Sequence, residues 1–405
     1  MSPAASSLTA DVQQSSTRPA VGRGWSVRCF DSIAELPECV HCWKSLAAAA
    51  SEPNAFYEPW FFLPAAEHFA TQAEGLRILV VEREGPHGPE WGGFFPFVER
   101  SWKGLPGTRR LQLWQHDQCF LTTPLLLAGA EEEVLRALLG FLKSSSTLPG
   151  MLHWPQVRAA GPIQQALIEI TRSELLSVHI HDQFNRALLR QQPAGAAPAG
   201  QQPLLTGHHL RELRRQRRRL EDAGPLEVRL LQSKAQLGLW ADWFLKLEAS
   251  GWKGREGTAL ESADDSRRFL QEMLSAGFDE GAVEFWGLFQ QGEPLAMKLN
   301  LRSGSGSFSF KIAYDERFYR CSPGVQLELE HLQRFQDSGL EWMDSCAVSG
   351  HAMIGRLWPE RRSMQNLLIS TGSWPSDLLV AGFPLARALL RTARRCRRWF
   401  SPSSR

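Results

Sequence analysis

The chain has 405 residues and carries 45 Lys and Arg against 43 Asp and Glu. Its net charge of only +2 excludes a polyelectrolyte that binds nucleic acid through overall charge. The length exceeds one ordinary domain and calls for two or three, and 43% hydrophobic residues with 15 Trp and 22 Phe supply packed cores.

The opening stretch MSPAASSLTADVQQSSTRPAVG is small and polar, with neither the basic start nor the apolar centre of a secretory signal, so 1–23 reads as a disordered leader. A first half is expected over 24–190. In it WSVRCF, LRILVVER and EWGGFFPFVER have the β-branched and aromatic content of strands, while EEEVLRALLGFLKSS and IQQALIEITRS have helical spacing. Cys39 and Cys42 form a CxxC, but no second Cys or His pair lies at a zinc-finger spacing and ELPECVHCWKSLAAAA reads as a helix, so core packing is the better reading and no metal is expected. Seven scattered cysteines point to reduced thiols. The Pro, Gly, Ala and Gln of 191–203 cannot build a core and mark a linker.

The second half, 204–372, repeats the grammar: a helix from 208, a strand LEVRLL, helices near 235–249 and 263–276, a strand VEFWGLFQ and a hairpin. The repeated element order suggests a duplicated fold. The first helix, HHLRELRRQRRRL, holds six arginines and suits polyphosphate or RNA, or else a solvated face paired to neighbouring acids. In the hairpin LAMKLNLRSGSGSFSFKIAY, taking SGSG at 303–306 as the loop sets Arg302 against Ser307, Leu301 against Phe308, Leu299 against Phe310 and Lys298 against Lys311. Two facing lysines repel, which an anionic ligand group would relieve, so removing either should leave stability unchanged or slightly raised.

The hairpin runs through YDERFYRCSPG, with two of the chain's three tyrosines, into the helical VQLELEHLQRFQ. A strand, loop and helix in that order put amide hydrogens and a helix dipole where a phosphate could bind, with Gly324 allowing close approach; a plain Ser-Pro-Gly cap is the alternative. The end of the chain, 373–405, is a basic tail in which FPLARALLRTARRCRRWF carries six Arg and no acid, fitting an anionic membrane surface or an ordinary charged helix. No apolar run reaches the roughly 18–20 residues of a membrane span. The expected location is cytoplasmic, with peripheral contact at the inner face of the membrane if the tail docks there.

Four stretches carry a family resemblance: RELRRQRRRLEDAGPLEV, LEASGWKGREGTAL at 247–260, KIAYDERFYRCSPGVQL at 311–327 and DSCAVSGHAMIGRLWPERR at 344–362. They resemble the CelD-type branch of the GNAT acyltransferases, linked to cellulose and exopolysaccharide biosynthesis. The resemblance implies an α/β (α+β) fold of tandem GNAT-like domains, each a mixed, mainly antiparallel sheet flanked by helices, as in the FemABX aminoacyltransferases. It also implies acyl-CoA (acetyl-CoA) as donor, no metal, and an amine or sugar-linked acceptor such as a glycan precursor. RCSPGVQ fits the usual pyrophosphate loop only approximately.

In such chemistry an amine attacks a thioester directly, so the protein must align the substrates, accept a proton and stabilise a thiolate. Tyr314 or Tyr319 is a candidate for the acid, and Asp315, Glu316 or Asp344, directly or through water, for the base. The helix-start reading gives Ser322, Pro323, Gly324, Val325 and Gln326 to the donor, the hairpin reading gives Lys311 to the donor and Lys298 to the substrates, and Trp252 and Lys253, in another family-like turn, are candidates for substrate contact. Strand-edge tyrosines and loop-capping carboxylates are the structural alternatives. Two rival functions use the same fold: a transferase taking its acyl group from aminoacyl-tRNA, and a non-catalytic binding protein at a membrane or synthase.

Overall fold

A computed structural model of the chain describes residues 24–70, 75–86, 88–101, 109–191, 207–251, 264–351 and 353–400. In the first half these form β1 (Ser26–Phe30), α1 (Val40–Ala48), α2 (Pro59–Phe69), β2 (Arg77–Gly85), β3 (Gly88–Ser101), β4 (Arg109–Leu113), β5 (Leu125–Leu126), α3 (Glu131–Ser144), β6 (Met151–Arg158), α4 (Pro162–Glu174) and β7 (Val178–Arg190). The second half adds α5 (Gly207–Glu221), β8 (Leu226–Leu230), α6 (Leu237–Ser250), α7 (Asp264–Asp279), β9 (Val283–Gln290), β10 (Glu293–Ser303) and β11 (Gly306–Tyr314). It closes with α8 (Pro323–Phe335), β12 (Trp342–Asp344), α9 (Ile354–Leu357), β13 (Glu360–Ser370) and α10 (Trp374–Phe400). The CxxC stretch is split: Ile33–Cys39 is a 3-10 helix ending where α1 begins, and Cys39 and Cys42 are free thiols.

One sheet runs through the molecule in the order β1-β2-β3-β4-β6-β13-β7-β12-β11-β10-β9-β8, with β5 alongside β3. The order reads alike from both ends. Four antiparallel strands (β1–β4, or β8–β11) are followed by a parallel partner (β6, or β12), and β13 and β7 pair antiparallel at the centre. The expected tandem α/β architecture is therefore present. One feature was not legible in the sequence: β13, from the end of the chain, pairs with β6 and β7 of the first half, while β7 pairs with β12 of the second. The halves are thus joined by strand exchange as well as by packing.

Alternation along the strands sends apolar side chains to both faces. On one face α1, α2, α6 and α7 share a single aromatic-rich core that includes Trp43, Phe61, Phe94, Trp240, Phe285 and Phe308. On the other, α3 and α4 cover the first half through Leu138, Leu167 and Ile170, and α8 and α9 cover the second through Leu327, Phe335 and Leu357. Glu58, at the start of α2, ties the halves together by accepting from Trp60 Nε1 at 2.7 Å and from the Ser303 hydroxyl.

The hairpin turn is tighter than the sequence suggested. Ser303 pairs with Gly306, leaving Gly304 and Ser305 as a two-residue turn with Gly304 at φ +53°. Arg302 faces Ser307 and Leu301 faces Phe308 as expected, but a bulge then inserts Phe310, so Leu299 faces Lys311 and Lys298 faces Ile312. The proposed Lys298–Lys311 pair does not exist. One extra residue puts the two lysines on opposite faces of the sheet, which removes the repulsion and the stability gain expected from deleting it.

Candidate functional site

The residues singled out by sequence gather at the end of β11, between α6 and the start of α8. Lys311 lies on the α6 side, with Nζ 3.4 Å from Glu248 Oε1, and Glu248 is almost wholly buried. Tyr314 lies on the α8 side, half-buried, where its ring would meet a Cβ added to Gly324 at 3.4 Å. Asp315 ends the strand. Its carboxylate caps the turn by accepting from Arg317 N at 2.9 Å and grips the exposed Arg317 guanidinium at 2.6 Å. Glu248, Gly251, Ile312, Tyr314 and Glu316 line a small recess of about 30 Å³ here. Tyr319 is exposed on the 3-10 helix Glu316–Cys321, away from this recess's lining.

The start of α8 offers an anion less than expected. Ser322 holds a left-handed φ of +51°, Pro323 has no N–H, and the amides of Val325 and Gln326 already donate to Ser322 O at 2.9 and 3.0 Å. Gly324 contributes the remaining first-turn amide. Gln326 turns the other way, donating to Leu213 O at 2.9 Å and fastening α5 to α8. Between those two helices lies a cleft of about 500 Å³ floored by leucines. Of the six α5 arginines, Arg217 bridges Glu221 and Glu330 and Arg215 pairs with Glu212.

Beside the recess the sheet opens. β11 and β12 run parallel but pair only from Gly306–Trp342 to Phe308–Asp344; the chain after Asp344 then follows β7, with Ser345 N donating to Ala187 O at 3.1 Å. Among the described residues β12 does not continue along β11 beyond Phe308. The first half has the same construction, since β4 and β6 pair only at Leu111–Leu152 and Gln112–His153. There, however, the gap is filled by the chain itself: Thr122 N donates to Gln156 O at 3.4 Å, the Thr122 hydroxyl to Pro155 O, and Arg158 N to the Thr123 hydroxyl at 3.1 Å. The first turn of α3, which occupies the place of α8, carries Glu131, Glu132 and Glu133.

Two of the predicted residues serve buried networks instead. Lys298 has no exposure; its Nζ is 2.6 Å from Glu328 Oε2 and 3.3 Å from His331 Nδ1. Glu328 Oε1 accepts from Trp358 Nε1 at 2.9 Å, and His331 Nε2 lies 3.0 Å from Asn300 Nδ2. Burial, with Lys298 and Arg334 nearby, holds the His331 imidazole well below its usual pKa and therefore neutral. Asp344 is also fully buried, between Arg186 Nε at 2.7 Å and Arg362 Nη1 at 2.7 Å. Burial pushes its carboxyl up, but the two guanidiniums outweigh that and hold it below the ordinary value. A carboxylate so engaged is a poor proton acceptor, so this geometry makes Asp344 an anchor of β12 rather than a base.

Trp252 and Lys253 lie outside the described residues. Among the described residues no group of three or more His, Cys, Asp or Glu side chains could hold a metal, and no helix is long and apolar enough to cross a membrane. Glu248 was missed by sequence reasoning. It sits three residues before the singled-out GWKG turn, and its signal was a charged residue on the apolar face of α6 that also buries Leu245 and Leu247.

The sheet order, the parted parallel strands and the helix between them define a GNAT-type fold, built twice. In agreement, residues 207–351 match the family model described as "Acetyltransferase (GNAT) domain". Among solved structures, a conserved protein of unknown function from Bacteroides thetaiotaomicron VPI-5482 is 11% identical with a TM-score of 0.52, over 85% of this chain and 99% of that one. The C-terminal domain (DUF2156) of a putative lysylphosphatidylglycerol synthetase from Agrobacterium fabrum is 12% identical with a TM-score of 0.50, over 85% and 95%. FemX is 10% identical with a TM-score of 0.49, over 84% and 96%. For the first two the likeness is one of fold. No curated protein matches the chain.

Proposed function

We propose that the chain transfers an acyl group from acyl-CoA to an amine, free or sugar-linked, at the end of β11. The observation that carries this reading is the parting of the parallel strands β11 and β12 after Phe308–Asp344, beside a glycine-started helix and within the segment that matches the acetyltransferase family model. An extended, amide-bearing arm can add to a strand edge through backbone hydrogen bonds, and the edge of β11 beyond Phe308 faces that fork. Gly324 would leave room at the helix start and give one amide to a phosphate, a thin cradle that makes the arm the larger part of the fit.

Bound there, the donor supplies an activated thioester. The chain's own residues would do the rest. Glu248, which lines the recess with Tyr314 and meets the Lys311 ammonium at 3.4 Å rather than two guanidiniums at 2.7 Å, would take the proton released as the amine nitrogen bonds the acyl carbon, while the Tyr314 phenol would protonate the sulfur as its bond to that carbon breaks. That the acceptor belongs to an exopolysaccharide or envelope pathway rests on the CelD resemblance. Thermal melts with acetyl-CoA, longer acyl-CoAs and charged tRNA test the reading, because only a bound ligand raises the midpoint. A rise with CoA thioesters that Gly324→Val abolishes supports it. A rise with charged tRNA alone would hand the reaction to the aminoacyl-tRNA alternative.

A further inference from the structure

Eleven large apolar side chains are exposed among the described residues, and eight of them lie on α4, the turn after it, the start of β7, or α10. These segments are neighbours, because Ser177 N donates to Asp377 Oδ1 at 3.1 Å and so joins the α4–β7 turn to the first turn of α10. On α10 the inner face is already committed: Val380 and Phe383 are buried against Met151 and Leu368. At 100° per residue Trp374, Leu378 and Leu385 share the opposite face, and they are 78%, 66% and 67% exposed. Leu175, 86% exposed, stands at the adjoining turn.

The sequence of α10 is also strongly basic. From residue 383 to 400 the sequence has six arginines and no acid, and the helix's acid, Asp377, is engaged by the Ser177 amide. We propose that α10 and the α4–β7 turn form a docking face for an anionic lipid surface. The helix would lie in the plane of the interface, its Trp and Leu side chains among the headgroups and its arginines drawing it to negative lipid. A protein partner would have to match both a flat apolar stripe and a dense basic run, whereas an anionic bilayer presents both complements at once.

The test is flotation of the full chain with vesicles of phosphatidylcholine alone and of phosphatidylcholine mixed with phosphatidylglycerol. Binding is expected to the mixed vesicles, to fall with added salt, and to drop by more than about tenfold in a Trp374→Ser/Leu378→Ser/Leu385→Ser variant. That variant should melt as the parent does, since the three side chains are exposed. An Arg394→Gln/Arg395→Gln/Arg397→Gln/Arg398→Gln variant should weaken binding and flatten its salt dependence. Equal binding to both vesicle types, binding to neither, or binding indifferent to both variants would overturn the proposal. So would a dimer of the parent that the first variant dissolves, since that makes a second copy the occupant.

Discussion

Replacing Lys298 by Met separates the register seen in the structure from the one a simple hairpin would give. In the simple register the lysine repels Lys311, and its loss costs nothing or gains a few tenths of a kcal/mol. In the structure Lys298 is fully buried against Glu328, itself 1% exposed, and Met leaves Glu328 Oε2 without its cation. Removing one partner of a buried ion pair costs about 3–5 kcal/mol. For domains of 150–250 residues each kcal/mol moves the midpoint by roughly 2–4 °C, so the melt should fall by roughly 6–20 °C. A second change should mend much of this. Glu328→Gln keeps an acceptor for Trp358 Nε1 while removing the orphaned charge, so Lys298→Met/Glu328→Gln should recover about 2 kcal/mol relative to Lys298→Met alone. Urea unfolding of the parent, both single variants and the double variant closes the cycle. A Lys298→Met protein as stable as the parent would refute the buried pair and with it the bulge at Phe310.

Asp344→Asn should cost about 3–5 kcal/mol in urea unfolding by leaving Arg186 and Arg362 buried and unpaired, and loss of activity with an unchanged melt would instead mark Asp344 as catalytic. Glu248→Gln should lower kcat for acyl transfer by about 10²-fold or more while leaving the CoA-induced shift in melting in place, and unchanged kcat would exclude it as base. Gly306→Ala should destabilise by about 1–3 kcal/mol, since a Cβ there would come within 2.0 Å of the Trp342 ring; an unshifted melt would show that Trp342 moves freely. Burial lowers the His116 pKa from 6.5 to about 3, so the folded state binds fewer protons than the unfolded one between those values and stability drains away as pH falls through that window, by up to about 1.4 kcal/mol per pH unit. A His116→Phe variant should therefore lose less stability than the parent between pH 6.5 and 5, and parallel curves would contradict this.

What the sequence made legible follows from periodicity. β1, β2, β3, β8, β9 and the helices α3–α8 each satisfy their own local pattern, so their existence could be inferred without knowing what they pack against. β4, β7, β12 and β13 could not be found that way. β12 has three residues, Trp342–Asp344, too few to show alternation, and β7 exposes or half-exposes most of Val178–Asn185, so it lacks a two-residue apolar rhythm. β13 is a recognisable strand only once β6 and β7 stand on either side of it. The site was legible as a place but not in its geometry. Strand, turn and helix located the end of β11, whereas the bulge, invisible in the alternation of LNLRSGSGSFSFKI, decided which way each charged side chain points.

That bulge also explains how one scaffold can serve two ends. Inserting Phe310 lets Phe310 and Lys311 both face the α6 layer, where Phe310 packs 5.7 Å from the Phe120 ring and Lys311 meets Glu248. Phe120 belongs to the same loop that plugs the first opening, and its carbonyl accepts from Arg186 Nη1 at 2.6 Å, on the arginine that also holds Asp344 at the fork of the second. The residues that close one opening are therefore bonded to those that frame the other. Any change that loosens 119–123 should be felt at Asp344 and β12, so the first half is a working brace for the second rather than an idle duplicate. A Thr122→Val/Thr123→Val chain should accordingly lose both overall stability and the CoA-induced rise in melting temperature. Loss of stability with an undiminished ligand shift would show that the two openings are mechanically independent.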